Sequence, residues 1–192
     1  EGYDTVEAPL PALVTVSNEL GEPRYPKLQQ IMMAARKQVT VISLGPEGAR
    51  DVIKHSLAMG ADEGVLLTDG AFEGDSYTTA LALSKAIEKI GDYNLILCGR
   101  QATDWDAGVV GYGIAELLGV PSVSLAKSVN ISDSKVVVER VLMEGYDTVE
   151  APLPALVTVS NELGEPRYPK LQQIMMAARK QVTVAGHGLG SR

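Results

Sequence analysis

The stretch with the most chemical potential is Gly99–Gly111, GRQATDWDAGVVG, which carries three glycines, one arginine and two aspartates between an apolar segment and a helix-like one. Backbone amides of a glycine-rich turn converge on anions, and Arg100 would add a charge-assisted donor to a phosphate. A solvent-exposed strand-to-helix connection with incidental glycines explains the same spacing, since the run is neither a Walker loop nor a GxGxxG fingerprint. A second loop, Ser43-Leu44-Gly45-Pro46, opens a helix whose free first-turn amides could take an anion. Asp104 and Asp106 suggest a magnesium pair, but loop aspartates more often cap and turn. The two histidines are His55, on a helix, and His187, in the tail, while Cys98 ends a buried strand and reads as core. Nothing makes a good nucleophile or general base, so no catalytic and no metal-ligating residue is expected.

The elements that must position these loops follow from the hydrophobic pattern. Gln38–Leu44, Glu63–Thr68 and Tyr93–Cys98 are short apolar runs suited to strands covered on both faces. Between them lie helical spacings at Ala49–Met59, closed by Gly60, and from an Asp75-Ser76 cap to Ile90, with Tyr112–Leu118 following the loop. Strands alternating with helices predict an α/β fold: an open, mostly parallel sheet with helices on both faces. After Pro121 the pattern changes to extended runs at Ser122–Ser128, Ser134–Met143 and Asp147–Ala151, with Glu144-Gly145-Tyr146 as the turn of an antiparallel hairpin. Pro154–Ser160 returns to a buried strand, and Lys170–Lys180 is helical with a basic last turn.

Residues Glu1–Val41 recur letter for letter as Glu144–Val184. Natural repeats diverge, so this identity implies a recent duplication or an engineered chain, and the tail AGHGLGSR at 185–192 reads as a linker scar or tag. Residues 1–184 are expected to form a single α/β domain. A solenoid is excluded, because two copies separated by unrelated sequence cannot stack as neighbours. The 192 residues are 45% hydrophobic and 21% charged, with 17 basic against 24 acidic side chains and one cysteine. That balance argues against nucleic-acid binding, and a lone cysteine excludes a disulfide framework. No apolar run approaches the length that crosses a bilayer, and Glu-Gly-Tyr-Asp is not a secretory leader, so a cytoplasmic protein without membrane contact is expected.

Gly99-Arg-Gln-Ala-x-Asp-x-Asp, together with Asn-Glu-Leu-Gly-Glu-Pro-Arg-Tyr-Pro-x-Leu-x-x-Ile-Met-x-Ala, resembles the β (small) subunit family of electron transfer flavoprotein. Val39–Asp69 looks like that family's second strand–helix–strand unit, and the motifs keep the family's order from about Gln38 to Val184. The resemblance implies a Rossmann-like, HUP-like adenine-nucleotide-binding domain that holds AMP or FAD. It implies pairing with an α subunit and shuttling of electrons from dehydrogenases through flavin, without catalysis of its own. By position it assigns Leu44, Gly99, Arg100, Gln101, Ala102, Thr103, Asp104, Trp105, Asp106, Ala107, Gly108, Val109 and Val110 to the nucleotide pocket. Leu171 and its twin Leu28 match the family's partner-docking leucine. Where many members read Asp-Thr-x-Gln-Val-Gly, this chain has Asp106-Ala107-Gly108-Val109-Val110-Gly111, without the hydroxyl or the amide. The family's first strand and helix are replaced by the first copy of the repeat. In that place Ala12–Ser17 and Leu28–Lys37 are expected to form a strand and a helix. An apolar arm without its α subunit predicts a homo-oligomer. The rival readings are a stress-protein-like module that binds AMP or ATP without redox partners, and an engineered chain that binds nothing.

Overall fold

Runs such as TVISL and LILCG offer β-branched and apolar side chains to both faces at once, which suits strands buried between helical layers. The computed structural model describes residues 38–45, 49–72, 74–102, 106–132, 134–164 and 168–186. Leu28, Ala12–Ser17, Thr103, Asp104, Trp105 and His187 therefore lie outside the described residues.

The chain order is β1 (Thr40–Leu44), α1 (Arg50–Ala58), β2 (Glu63–Leu67), α2 (Ser76–Ile90), β3 (Leu95–Gly99) and α3 (Val110–Leu118). Then come β4 (Ser122–Ser132), β5 (Lys135–Val141), β6 (Tyr146–Pro152), β7 (Ala155–Val159), α4 (Leu171–Arg179) and β8 (Val182–Ala185). This is the expected α/β architecture, but its strands fall into two hydrogen-bonded sets. One is wholly parallel, in the order β1-β2-β8; the other runs β3-β7-β4-β5-β6, parallel through β4 and antiparallel beyond it. The hairpin turn falls where Leu142 N bonds Gly145 O, with Gly145 at φ 90°.

Helices cover both faces. Ile53 and Leu57 of α1 and Ala177 of α4 pack with Leu66, Val41 and Val182 on one side. Ala80 and Ile87 of α2 and Ile114 of α3 pack with Ile42, Ile96 and Leu156 on the other. Ile42 belongs to one strand set and Ile96 to the other, so α2 and α3 hold the two sets together from one face. Local chemistry fixes the helix ends. Asp75 accepts from Thr78 N at 2.9 Å at the start of α2, and Gly119 closes α3 in the left-handed region. Lys54 of α1 donates to the carbonyls of Ala177 and Ala178 at 3.1 Å and to that of Lys180, placing a cation on the negative end of α4.

The repeated QVTV segment appears twice beside β2. In β1, Thr40 faces Glu63 and Val41 faces Gly64; in β8, Val182, the twin of Val39, faces Gly64. The second copy is thus shifted by two residues against the first. Strand β8 also takes in Ala185, whose carbonyl accepts from Thr68 N at 3.1 Å, so the fold reaches one residue past the tail boundary drawn from sequence.

Candidate functional site

Parallel neighbours end at the same edge of a sheet, and in open α/β sheets that carboxyl edge is where crossover loops meet ligands. β3 ends there at Gly99, beside the end of β7. Arg100 N donates to Val159 O at 2.8 Å, extending the ladder one residue before the chain turns away. The loop is then pinched shut. Ala102 N bonds Ala107 O at 3.1 Å, and the Gln101 side-chain amide donates to Asp106 O at 3.3 Å and to the Asp106 carboxylate. Asp106 sits at φ 57°, a left-handed conformation that aspartate tolerates better than most residues.

Gly108 packs beside the start of the loop: a Cβ there would lie 3.6 Å from Arg100 O and 3.7 Å from Gln101 Cγ, which is ordinary contact. Val109 is the N-cap of α3 and has no side-chain acceptor for the first-turn amides. A helix start carries orphan N–H donors and partial positive charge, so this one presents backbone donors with no built-in anion. The exposed Arg100 lies at the other end of the same loop.

The structure brings Arg100, Gln101 and Ala102 together with Asp106, Ala107 and Gly108, with Gly99 leading into the loop and Val109 and Val110 leading out of it. Leu44 ends β1 in the other strand set, with Gly45 N bonded to Leu67 O. Val110 is half-buried, with its side chain in the apolar cluster of α2, α3 and β3, so it offers a pocket only its backbone. Gly111, read from sequence as part of the loop, is inside the helix. A Cβ there would stand 3.1 Å from Thr158 Cγ2 and 3.5 Å from Cys98 Cβ, so its lack of a side chain lets α3 lie close on β3 and β7.

Burial pushes the Cys98 thiol up to about 11, so it is protonated and unreactive at neutral pH. His55 is exposed on α1, as expected of a surface histidine. Among the described residues no group of three or more His, Cys, Asp and Glu is placed to hold a metal ion. Leu171 opens α4 and is 74% exposed, and Tyr168, Ile174, Met175 and Met176 are exposed around it. Sequence reasoning did not find a cavity of about 520 Å³ between β1 and β3, which are end strands of their sets among the described residues. Periodicity assigns strands but not their lateral spacing.

Residues 29–186 match the family model of the electron transfer flavoprotein domain. Over 145 residues the chain is 50% identical to the electron transfer flavoprotein subunit beta of Thermoanaerobacterium thermosaccharolyticum, covering 75% of this chain and 55% of that protein. It is 40% identical over 151 residues to the caffeyl-CoA reductase-Etf complex subunit CarD of Acetobacterium woodii, covering 78% and 58%. It is 39% identical over 152 residues to the electron transfer flavoprotein subunit beta of Megasphaera elsdenii, covering 76% and 56%. The chain spans a little over half the length of each of these relatives.

Proposed function

The chain belongs to the electron transfer flavoprotein domain family, and on that premise we propose that it is a β-subunit-like carrier domain. In this reading it holds the phosphate of an adenine nucleotide, AMP or FAD, where α3 begins, and performs no catalysis itself. One observation carries the reading: α3 starts without a side-chain cap at the carboxyl edge of β3, with Arg100 on the same loop. The donor set fits a phosphate group. Its members are backbone amides and a guanidinium, and the nearby Asp106 carboxylate is engaged by Gln101. Ala107 and Val109 add no hydroxyl or amide, so recognition falls to the main chain. Leu44, Gly99 to Ala102, Thr103, Asp104, Trp105 and Asp106 to Val110 make up the proposed pocket. A bound flavin would supply the electron-carrying chemistry, and the protein's part is to hold and orient it.

Leu171, with its twin Leu28, is the proposed contact for dehydrogenases, and an α subunit the proposed permanent partner. A homo-oligomer is the proposed state when that partner is absent. The proposed setting is cytoplasmic; among the described residues no helix is long and apolar enough to cross a membrane.

The test is calorimetric titration with AMP. Gly108→Pro deletes one loop amide and fixes φ, and is expected to weaken binding at least tenfold, about 1.4 kcal/mol. Unchanged affinity in a folded variant rejects this loop as the phosphate site. Absorbance of the ligand released on denaturation separates the two nucleotides: a 450 nm band marks flavin, and adenine absorbance alone marks AMP.

A further inference from the structure

Strands β1 and β3 are end strands of their sets among the described residues, and each turns its free edge toward the same cavity. The cavity's lining runs along both: Thr40 and Ile42 from β1, Leu95 to Cys98 from β3, and Leu83, Ile87 and Ile114 from the helices beneath. Both strands are built like central strands, with apolar side chains on both faces and no lysine or proline to guard an edge, yet β1 is half-buried throughout and β3 is buried no better. By contrast β7, with neighbours on both sides, is buried at four of its five residues. Two parallel apolar edges facing one slot call for one more strand.

We propose that the slot takes residues 12–16 of this same chain, ALVTV, as a parallel strand between β1 and β3. The sequence is that of β7, Ala155–Val159, letter for letter. That segment already pairs in parallel with the opposite edge of β3, setting Leu156 on the α2–α3 face with Ile96, and Val157 on the other face with Leu97. The first copy brings the same alternation to the other edge, with apolar side chains for both faces of the slot.

The connection fits. Residues 17–39 separate this segment from β1, enough for the dozen or more residues of a parallel crossover. The second copy of the same linker carries the chain from β7 past β3, the slot, β1 and β2 to β8, roughly 24 Å at the usual strand spacing. The first copy need only reach the adjacent strand. A right-handed crossover from the slot to β1 runs in the same direction as β1–α1–β2, so it lies on the α1 face, where Val41 is half-buried. The filled order is β8-β2-β1-(12–16)-β3-β7-β4-β5-β6, one continuous sheet.

Hydrogen exchange on the full chain tests this. Peptides from the two copies have identical masses, so Glu19→Ala, outside the strand, tags the first copy. The expected result is that residues 12–16, 40–44 and 95–99 are all slow to exchange, and remain so at a dilution where light scattering shows monomers. Val14→Asp should then speed exchange of 40–44 and 95–99 at least about tenfold while Ser122–Ser132 stays slow. Should that variant fail to fold, the tagged parent still decides. Rapid exchange at 12–16 overturns the proposal because the slot stays open, and slow exchange at 12–16 that is lost on dilution to monomers overturns it because a second copy's strand then fills the slot.

Discussion

Gly64 lies under α1, and a Cβ built on it would come within 2.3 Å of Ile53 Cγ2, 3.6 Å of Leu57 Cδ1 and 3.7 Å of Val182 Cγ2. The first contact is more than an ångström too short for two carbons. Ile53 is 0% exposed, so its branch methyl has nowhere to swing. Gly64→Ala must therefore lift α1 from β2 or force an off-rotamer isoleucine, at about 1–3 kcal/mol. The backbone at Gly64 admits alanine, and the stiffer unfolded chain returns about 0.4–1 kcal/mol. The net loss is about 1–2 kcal/mol, read as a lower urea midpoint with an unchanged slope. Ile53→Leu removes the offending branch methyl, so in the double variant the two changes should be coupled by about 1 kcal/mol in the favourable direction. A Gly64→Ala protein as stable as the parent, or two changes that simply add, refutes the packing account. The consequence is not confined to the core, because α1 is the helix that follows the Leu44 loop.

Asp75 is held below the usual carboxylate range by its hydrogen bonds to Thr78, first the backbone amide and then the hydroxyl. Its stabilising contribution is present above pH 3.8 and lost as pH falls through the lowered value. Melting temperatures of the parent should thus fall further between pH 5 and pH 2.5 than those of Asp75→Asn, and parallel curves would remove the cap from the account. Cys98 is raised from 9.0 to about 11 by burial, so the folded state keeps its proton longer than the unfolded one. Its effect on stability is absent below pH 9 and becomes a loss between pH 9 and pH 11, which Cys98→Ala should lack in a comparison of denaturation midpoints across that range. Iodoacetamide at pH 8 should label Cys98 about a hundredfold more slowly than a free cysteine, and equal rates would contradict its burial. Leu171→Glu alters an exposed position, so stability should change by no more than about 0.5 kcal/mol while capture of a partner dehydrogenase is lost. Retained capture removes Leu171 from the docking surface.

What the sequence made legible was local. The Asp75 cap, the left-handed Gly119 stop and the turn near Gly145 each depend on a few adjacent residues, and each appears where the pattern placed it, give or take two residues. The long-range features were not legible. Lys54 capping α4 joins residues 123 or more apart in sequence. Leu125 sits at φ 57° beside a break in the β4–β7 register and donates its amide to Thr158 Oγ1, a strain that no turn signal announces. In the candidate site, the glycines mark out the loop, but their roles differ from the pattern's suggestion. Gly111 serves helix packing, and the loop is closed by Gln101 and Asp106, two residues whose pairing depends on a backbone reversal that composition cannot specify.

The identical QVTV segments on the two edges of β2 mean that this strand has two berths for the same word. A slip of two residues keeps every side chain on its own face, so the register difference costs neither berth its packing. Beyond the residues that follow the shared segment, the tethers tell the occupants apart. Residues 45–62 join β1 to β2, whereas residues 68–181 separate β2 from β8; closing the longer loop costs about 1.6 kcal/mol more in chain entropy. The shorter tether therefore favours β1 over β8 as the occupant of an edge of β2. The C-terminal strand is the one that a neighbouring molecule can supply in its place, which makes that edge the point where two chains at high concentration would trade ends.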